Sequence, residues 1–143
     1  MARITALVLT LVCLLIAVTE AKVFERCELA RTLKRLGLSG YRGHALGNWI
    51  CLAYYESRYN TRAVGPPNWD GSRDYGIFQI NSRWWCDNGR RPTANGCRKP
   101  CSGKNFSFSL YTFIFLFILI SRVAWRNHCK GRNLSGWTRG CGV

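Results

Sequence analysis

Glu56 and Asp74 are the residues whose chemistry is most pointed. The stretch "HALGNWICLAYYES" carries Leu46, Trp49, Ile50 and Ala53 at helical spacing, and Glu56 is the next position on that stripe. A carboxylate on an apolar helix face loses hydration unless it is neutral or paired, so the pKa of Glu56 is expected to be raised. A helix ending earlier would leave Glu56 wet and ordinary. Asp74 lies in "DYGIFQINS", with Asn68, Ser72 and Asn81 around it in the sequence. Hydrolysis of a glycosidic bond needs two such carboxyls in contrasting settings, one protonated toward the leaving oxygen and one ionised. Trp84 and Trp85 add flat faces on which sugar rings could stack.

These residues need elements to hold them. "ERCELARTLKRLG" places Leu29, Leu33 and Leu36 on one face of a basic helix that stops at Gly37. "GLSGYRG" is a glycine-punctuated connection to the helix that carries Glu56. Asp70-Gly71 between two short runs reads as a hairpin turn, with Asp74 on the second strand of a small antiparallel sheet. From Asp87 to Ser102 the chain is turn-rich, and "VAWRNHC" and "LSGWTRGCGV" read as short helical turns. The fold class is α+β, with helix, sheet and helix sharing one domain over 22–143.

Composition narrows the setting. The opening "MARITALVLTLVCLLIAVTEA" has a basic residue, a short apolar core and a small residue at its end, the layout of a signal peptide cut between Ala21 and Lys22. Secretion to the extracellular space follows. Loss of Arg3 and Glu20 with that leader leaves the net charge at +14, a field that attracts anionic bacterial surfaces, lipids and other polyanions. No recognition helix or RNA-binding motif is visible, so no specific nucleic-acid partner is expected. Cys13 leaves with the leader, and seven cysteines remain, an odd number for a secreted chain. There is no Cys-x-x-Cys, and His44 and His128 are isolated. Neither a metal nor another cofactor is expected.

"KVFERCELARTLKRLG", "YNTRA", "DYGIFQINSRWWC" and "VAWRN" together resemble chicken-type (c-type) lysozyme, from Lys22 to Ser102 and again from Val123. The resemblance implies a helical lobe and a small β lobe with a cleft between. It implies cleavage of the β-1,4 link between N-acetylmuramic acid and N-acetylglucosamine in bacterial peptidoglycan. Carried over by position, Glu56 is the general acid and Asp74 the nucleophile or ion stabiliser. Asn68, Ser72 and Asn81 hold the setting of Asp74, while Trp84 and Trp85 line the sugar cleft. The same resemblance pairs Cys27 with Cys141, Cys51 with Cys129, and Cys86 with Cys101. α-Lactalbumin, the calcium-binding relative, lacks this carboxyl pair.

The resemblance breaks at "GKNFSFSLYTFIFLFILISR", where the family carries a central helix and the cysteine that partners Cys97. Cys97 is left unpaired; a monomer is expected, with a Cys97-linked dimer as the alternative. Arg122 falls where the family places a tryptophan against the acid, and a cation there favours the ionised carboxylate. Residues 105–121 hold no charge and no proline and admit three structural accounts: a foreign aggregation-prone segment, a short membrane span, or a substitute core helix. With Arg122 beside the acid, impaired activity is expected. Their Phe, Leu, Ile, Ser and Tyr are served by pyrimidine-rich codons, as a translated intron would be. Three readings therefore stand: a muramidase, a cationic membrane-active protein that kills without cleavage, and an inactive mis-spliced product.

Overall fold

The computed structural model describes residues 22–102 and 122–143. The expected leader at 1–21 and the uncharged run at 105–121 lie outside the described residues, as does the Arg122 side chain.

Helix α1 (Arg26–Arg35) starts where the Glu25 carboxylate accepts from the Glu28 N–H at 3.0 Å. That contact satisfies one of the amide groups a helix start leaves unpaired. Glu28 in the first turn and Lys34 and Arg35 in the last complement the helix dipole. The helix ends at Gly37, whose φ of +80° suits glycine. Leu29, Ala30 and Leu33 are fully buried, each leucine contributing about 1.5–3 kcal/mol of transfer free energy.

Helix α2 (Leu46–Ser57) buries Leu46, Trp49, Ile50, Cys51, Leu52 and Ala53. A helix apolar over so much of its girth has to sit centrally. It packs against α1 on one side and against α3 (Arg122–His128) on another. The Trp125 indole N–H donates to Asn48 Oδ1 at 2.8 Å, and Cys51–Cys129 joins α2 to the residue just past α3. Gly47 is required here. A Cβ at this position would stand 2.7 Å from the Leu134 carbonyl oxygen, so the C-terminal segment can lie on α2 only across a glycine.

The last residues are fastened to the first. Cys27–Cys141 spans 114 residues, and the Arg26 guanidinium donates to the carbonyls of Trp137 at 2.9 Å and Arg139 at 3.0 Å. In the chain-entropy picture, a cross-link closing a loop this long is worth about 4–5 kcal/mol.

The sheet is a two-stranded antiparallel ribbon, β1 (Asp74–Tyr75) and β2 (Ile80–Asn81). Asp74 therefore sits on its first strand, not on a second one beyond Asp70-Gly71. The paired turn is Gly76–Gln79, one step further along. Asp70-Gly71 does reverse the chain, but the segment before it meets β1 only through the Val64–Tyr75 bridge and the Gly65 N–H to Asp74 carbonyl bond of 2.8 Å. A second small core of Ile80, Cys86 and Cys101, with Tyr75 and Trp85 against it, supports the ribbon. Cys86–Cys101 closes the turn-rich loop behind it.

Candidate active site

Two elements bring the carboxyls together. Helix α2 continues through Glu56, which places that residue on the wall of a cleft of about 960 Å³, with Asp74 opposite on β1. Trp84, Trp85, Asn81 and Gln79 complete the β side. Val123, Ala124, Asn127 and His128 of α3 complete the helical side. The volume suits several sugar rings, at the large end of ordinary ligand clefts.

Burial, and behind it the negative charge of Asp74, pushes the Glu56 carboxyl up from 4.5 to about 7. The desolvation that the helix stripe predicts is thus the larger cause. Asp74 is held by register. It pairs with Asn81 across the ribbon, so the Asn81 Nδ2 group donates to Asp74 Oδ1 at 2.9 Å.

Ser72 is buried and stands at the next node. Its hydroxyl accepts from Asn81 Nδ2 at 3.1 Å and from Asn68 Nδ2 at 3.0 Å, and donates to Asp70 Oδ1 at 2.7 Å. One donor and two acceptor sites are all in use. Asn68 and Ser72 thus reach Asp74 through Asn81. Asp70 also accepts from the Arg83 guanidinium at 3.1 Å, and the Arg83 cation lies 5.1 Å from the centre of the Trp84 ring. These contacts hold the Asp70 carboxyl below its ordinary value, the Ser72 hydroxyl being the largest cause. Trp84 leaves 55% of its surface in water, and Trp85 packs inward on the second core.

Several participants carry no sequence signal. Gln79 lines the cleft from a left-handed backbone position (φ 51°) and donates to the carbonyls of Gly76 at 2.9 Å and Ala63 at 3.3 Å. The His128 ring stacks flat on Tyr55, centroids 4.0 Å apart. Only the α2–α3 contact makes that pair, so no local pattern announces it. Cys97 is the free cysteine among the described residues, half-buried, and burial pushes its thiol up. Among the same residues, no group of three or more His, Cys, Asp or Glu could hold a metal ion.

An α+β fold with a half-buried acid on a helix, a hydrogen-bonded carboxylate on a facing strand, and tryptophans along the groove has the layout of a glycoside hydrolase. Comparison with known proteins narrows the class. The model of the C-type lysozyme/alpha-lactalbumin family matches residues 22–105. Lysozyme C of Scophthalmus maximus is 52% identical over 141 residues, covering 93% of this chain and 97% of that protein. Lysozyme C-1 of Anas platyrhynchos is 51% identical over 142 residues, covering 93% and 96%. The milk isozyme of lysozyme C from Bos taurus is 48% identical over 147 residues, covering 96% and 99%. The chain belongs to the C-type lysozyme/alpha-lactalbumin family. The family match ends at residue 105, where the uncharged run begins.

Proposed function

We infer that this chain is a muramidase that cleaves the β-1,4 link from N-acetylmuramic acid to N-acetylglucosamine in bacterial peptidoglycan. The single observation that carries the assignment of roles is the raised carboxyl of Glu56, at about 7, facing Asp74. Glu56 stays protonated at mildly acidic to neutral pH and donates its proton to the glycosidic oxygen as the bond to the muramic acid C1 breaks. Asp74 faces the positive charge that develops on the sugar and stabilises it, directly or as a covalent glycosyl ester. Water then adds at C1, losing its proton to the Glu56 carboxylate, which restores the acid. Asn81 keeps Asp74 aimed across the cleft, with Ser72 and Asn68 behind it, and Trp84 and Trp85 supply the surfaces for the glycan.

The mature protein is the secreted domain 22–143, released by cleavage after Ala21. Its start is already engaged: the Lys22 carbonyl accepts from the Thr61 N–H at 2.9 Å, and the Lys22 N–H donates to Thr61 Oγ1 at 2.8 Å. The charge of +14 concentrates the protein at anionic bacterial walls. The protein is a monomer, with the half-buried Cys97 opposing a linked dimer. A Glu56→Gln chain separates hydrolysis from killing by charge alone. Turbidity of a cell-wall suspension should stop clearing, by about 10²–10⁴-fold in rate, while any residual killing reports membrane contact. Unchanged clearing by the Gln variant would remove Glu56 from the role of acid.

A further inference from the structure

Trp69 stands almost wholly in water, 95% exposed, more than any other large hydrophobic residue among those described. Scattered exposed apolar side chains are ordinary on protein surfaces. Two observations set this one apart. The first is the frame that presents it. The Gly71 N–H donates to the Asn68 carbonyl at 2.9 Å and the Asn68 N–H to the Ser72 carbonyl at 2.7 Å. The Ser72 N–H donates to Asp70 Oδ1 at 3.0 Å, and Arg83 clamps the other Asp70 oxygen at 3.1 Å. Both residues flanking Trp69 are thereby fixed, so the ring is carried on a stiff turn whose backbone needs no ordering by a ligand.

The second observation is where the frame leads. Its Ser72 hydroxyl accepts from the same Asn81 amide that holds Asp74, and the loop begins at Gly65, bonded to the Asp74 backbone. Trp69 therefore belongs to the rim of the β lobe, beside the strand of the cleft carboxylate and outside the cleft lining.

We propose that Trp69 is a second glycan contact, an aromatic platform outside the cleft on which a sugar ring of the peptidoglycan strand stacks. The proposal rests on the muramidase reading and adds a binding point to it. Pyranose rings present a face of C–H groups, and an indole presents the broadest flat apolar surface of any side chain, with one N–H donor at its edge. An anionic bilayer also attracts tryptophan, more strongly where unpaired cations stand beside the ring. Here Arg83 is paired with Asp70, but the Arg73 guanidinium meets only the neutral Gly65 carbonyl at 3.1 Å and keeps its charge. It is therefore the tie of the Trp69 turn to the Asp74 strand that favours the glycan, and the test separates the two surfaces.

The test uses the Glu56→Gln chain, so that the glycan persists during the measurement. Binding to insoluble peptidoglycan is read at about 0.5 M salt, where charge attraction is screened within a few ångström. Adding Trp69→Ala should weaken binding about three- to tenfold, and Trp69→Tyr, which keeps a flat ring, should restore most of it. Equal binding by the Glu56→Gln and Glu56→Gln/Trp69→Ala chains overturns the platform and leaves the muramidase reading standing. So does a loss confined to phosphatidylglycerol vesicles, which assigns Trp69 to a membrane. Failure of the Glu56→Gln chain itself to bind peptidoglycan overturns both.

Discussion

Replacing Glu56 by Gln should make the protein more stable, and only at higher pH. Below pH 4.5 the carboxyl is protonated in the folded and the unfolded chain alike, so burial costs it nothing beyond a neutral amide. Between 4.5 and about 7 the unfolded chain gives up its proton while the folded chain keeps it. The folded state then binds more protons, and stability falls as pH rises through that window. Above about 7 the penalty is complete. A rise from 4.5 to about 7 corresponds to about 3 kcal/mol at roughly 1.4 kcal/mol per tenfold. That figure is a ceiling. Glu56 keeps part of its surface in water, and screening brings the expected difference to about 1–2 kcal/mol. Urea unfolding with disulfides intact, run on both chains at pH 4 and pH 8, reads it directly. The Gln chain should gain about 1–2 kcal/mol at pH 8 relative to its difference at pH 4, or about 4–8 °C in thermal midpoint. The carboxyl is kept for function at that cost. Equal differences at the two pH values, or a Gln chain less stable at pH 8, would refute the desolvated acid.

Two further outcomes follow from neighbouring groups. Asp74→Asn removes the smaller cause of the Glu56 shift and leaves burial, so an NMR titration should place Glu56 below about 7 but still above 4.5; a midpoint at or under 4.5 would make Asp74 the main cause. Native Cys97 should be alkylated several-fold more slowly than in urea, because burial raises its thiol, and peptide mapping should find it unlinked beside three intact bridges. A Cys97 that reacts equally fast in both states, or one recovered in a disulfide, contradicts that arrangement.

Much of this is legible in the chain because the signals are local. Leu29 and Leu33 share a helix face and the stripe of α2 runs directly into Glu56, so both the helix and the acid's environment can be read from spacing. The Glu25 cap is shown only by the structure. The β lobe is less legible. Asp70-Gly71 is the stronger local turn signal, yet the ribbon closes at Gly76–Gln79, where Gln79 holds a left-handed backbone through bonds to Ala63 and Gly76. The Gly76 bond is local, but the Ala63 bond comes from a loop 16 residues earlier, outside any local window. Asp70 proves to be the anchor of Ser72 and Arg83, a role only the folded turn creates. His128 and Asn127 reach the cleft through the packing of α3 on α2, a long-range contact without periodic trace. The seven cysteines from Cys27 onward foretell one odd thiol by counting alone.

The central claim is that this chain cleaves peptidoglycan at the muramic acid linkage with Glu56 as the proton donor. Mass spectrometry of the fragments released from purified, insoluble peptidoglycan tests it most directly. The account predicts new reducing ends on N-acetylmuramic acid after treatment with the mature chain 22–143, and none above background with Glu56→Gln. No new reducing ends from the unaltered chain, or ends released equally by the Gln variant, would contradict it.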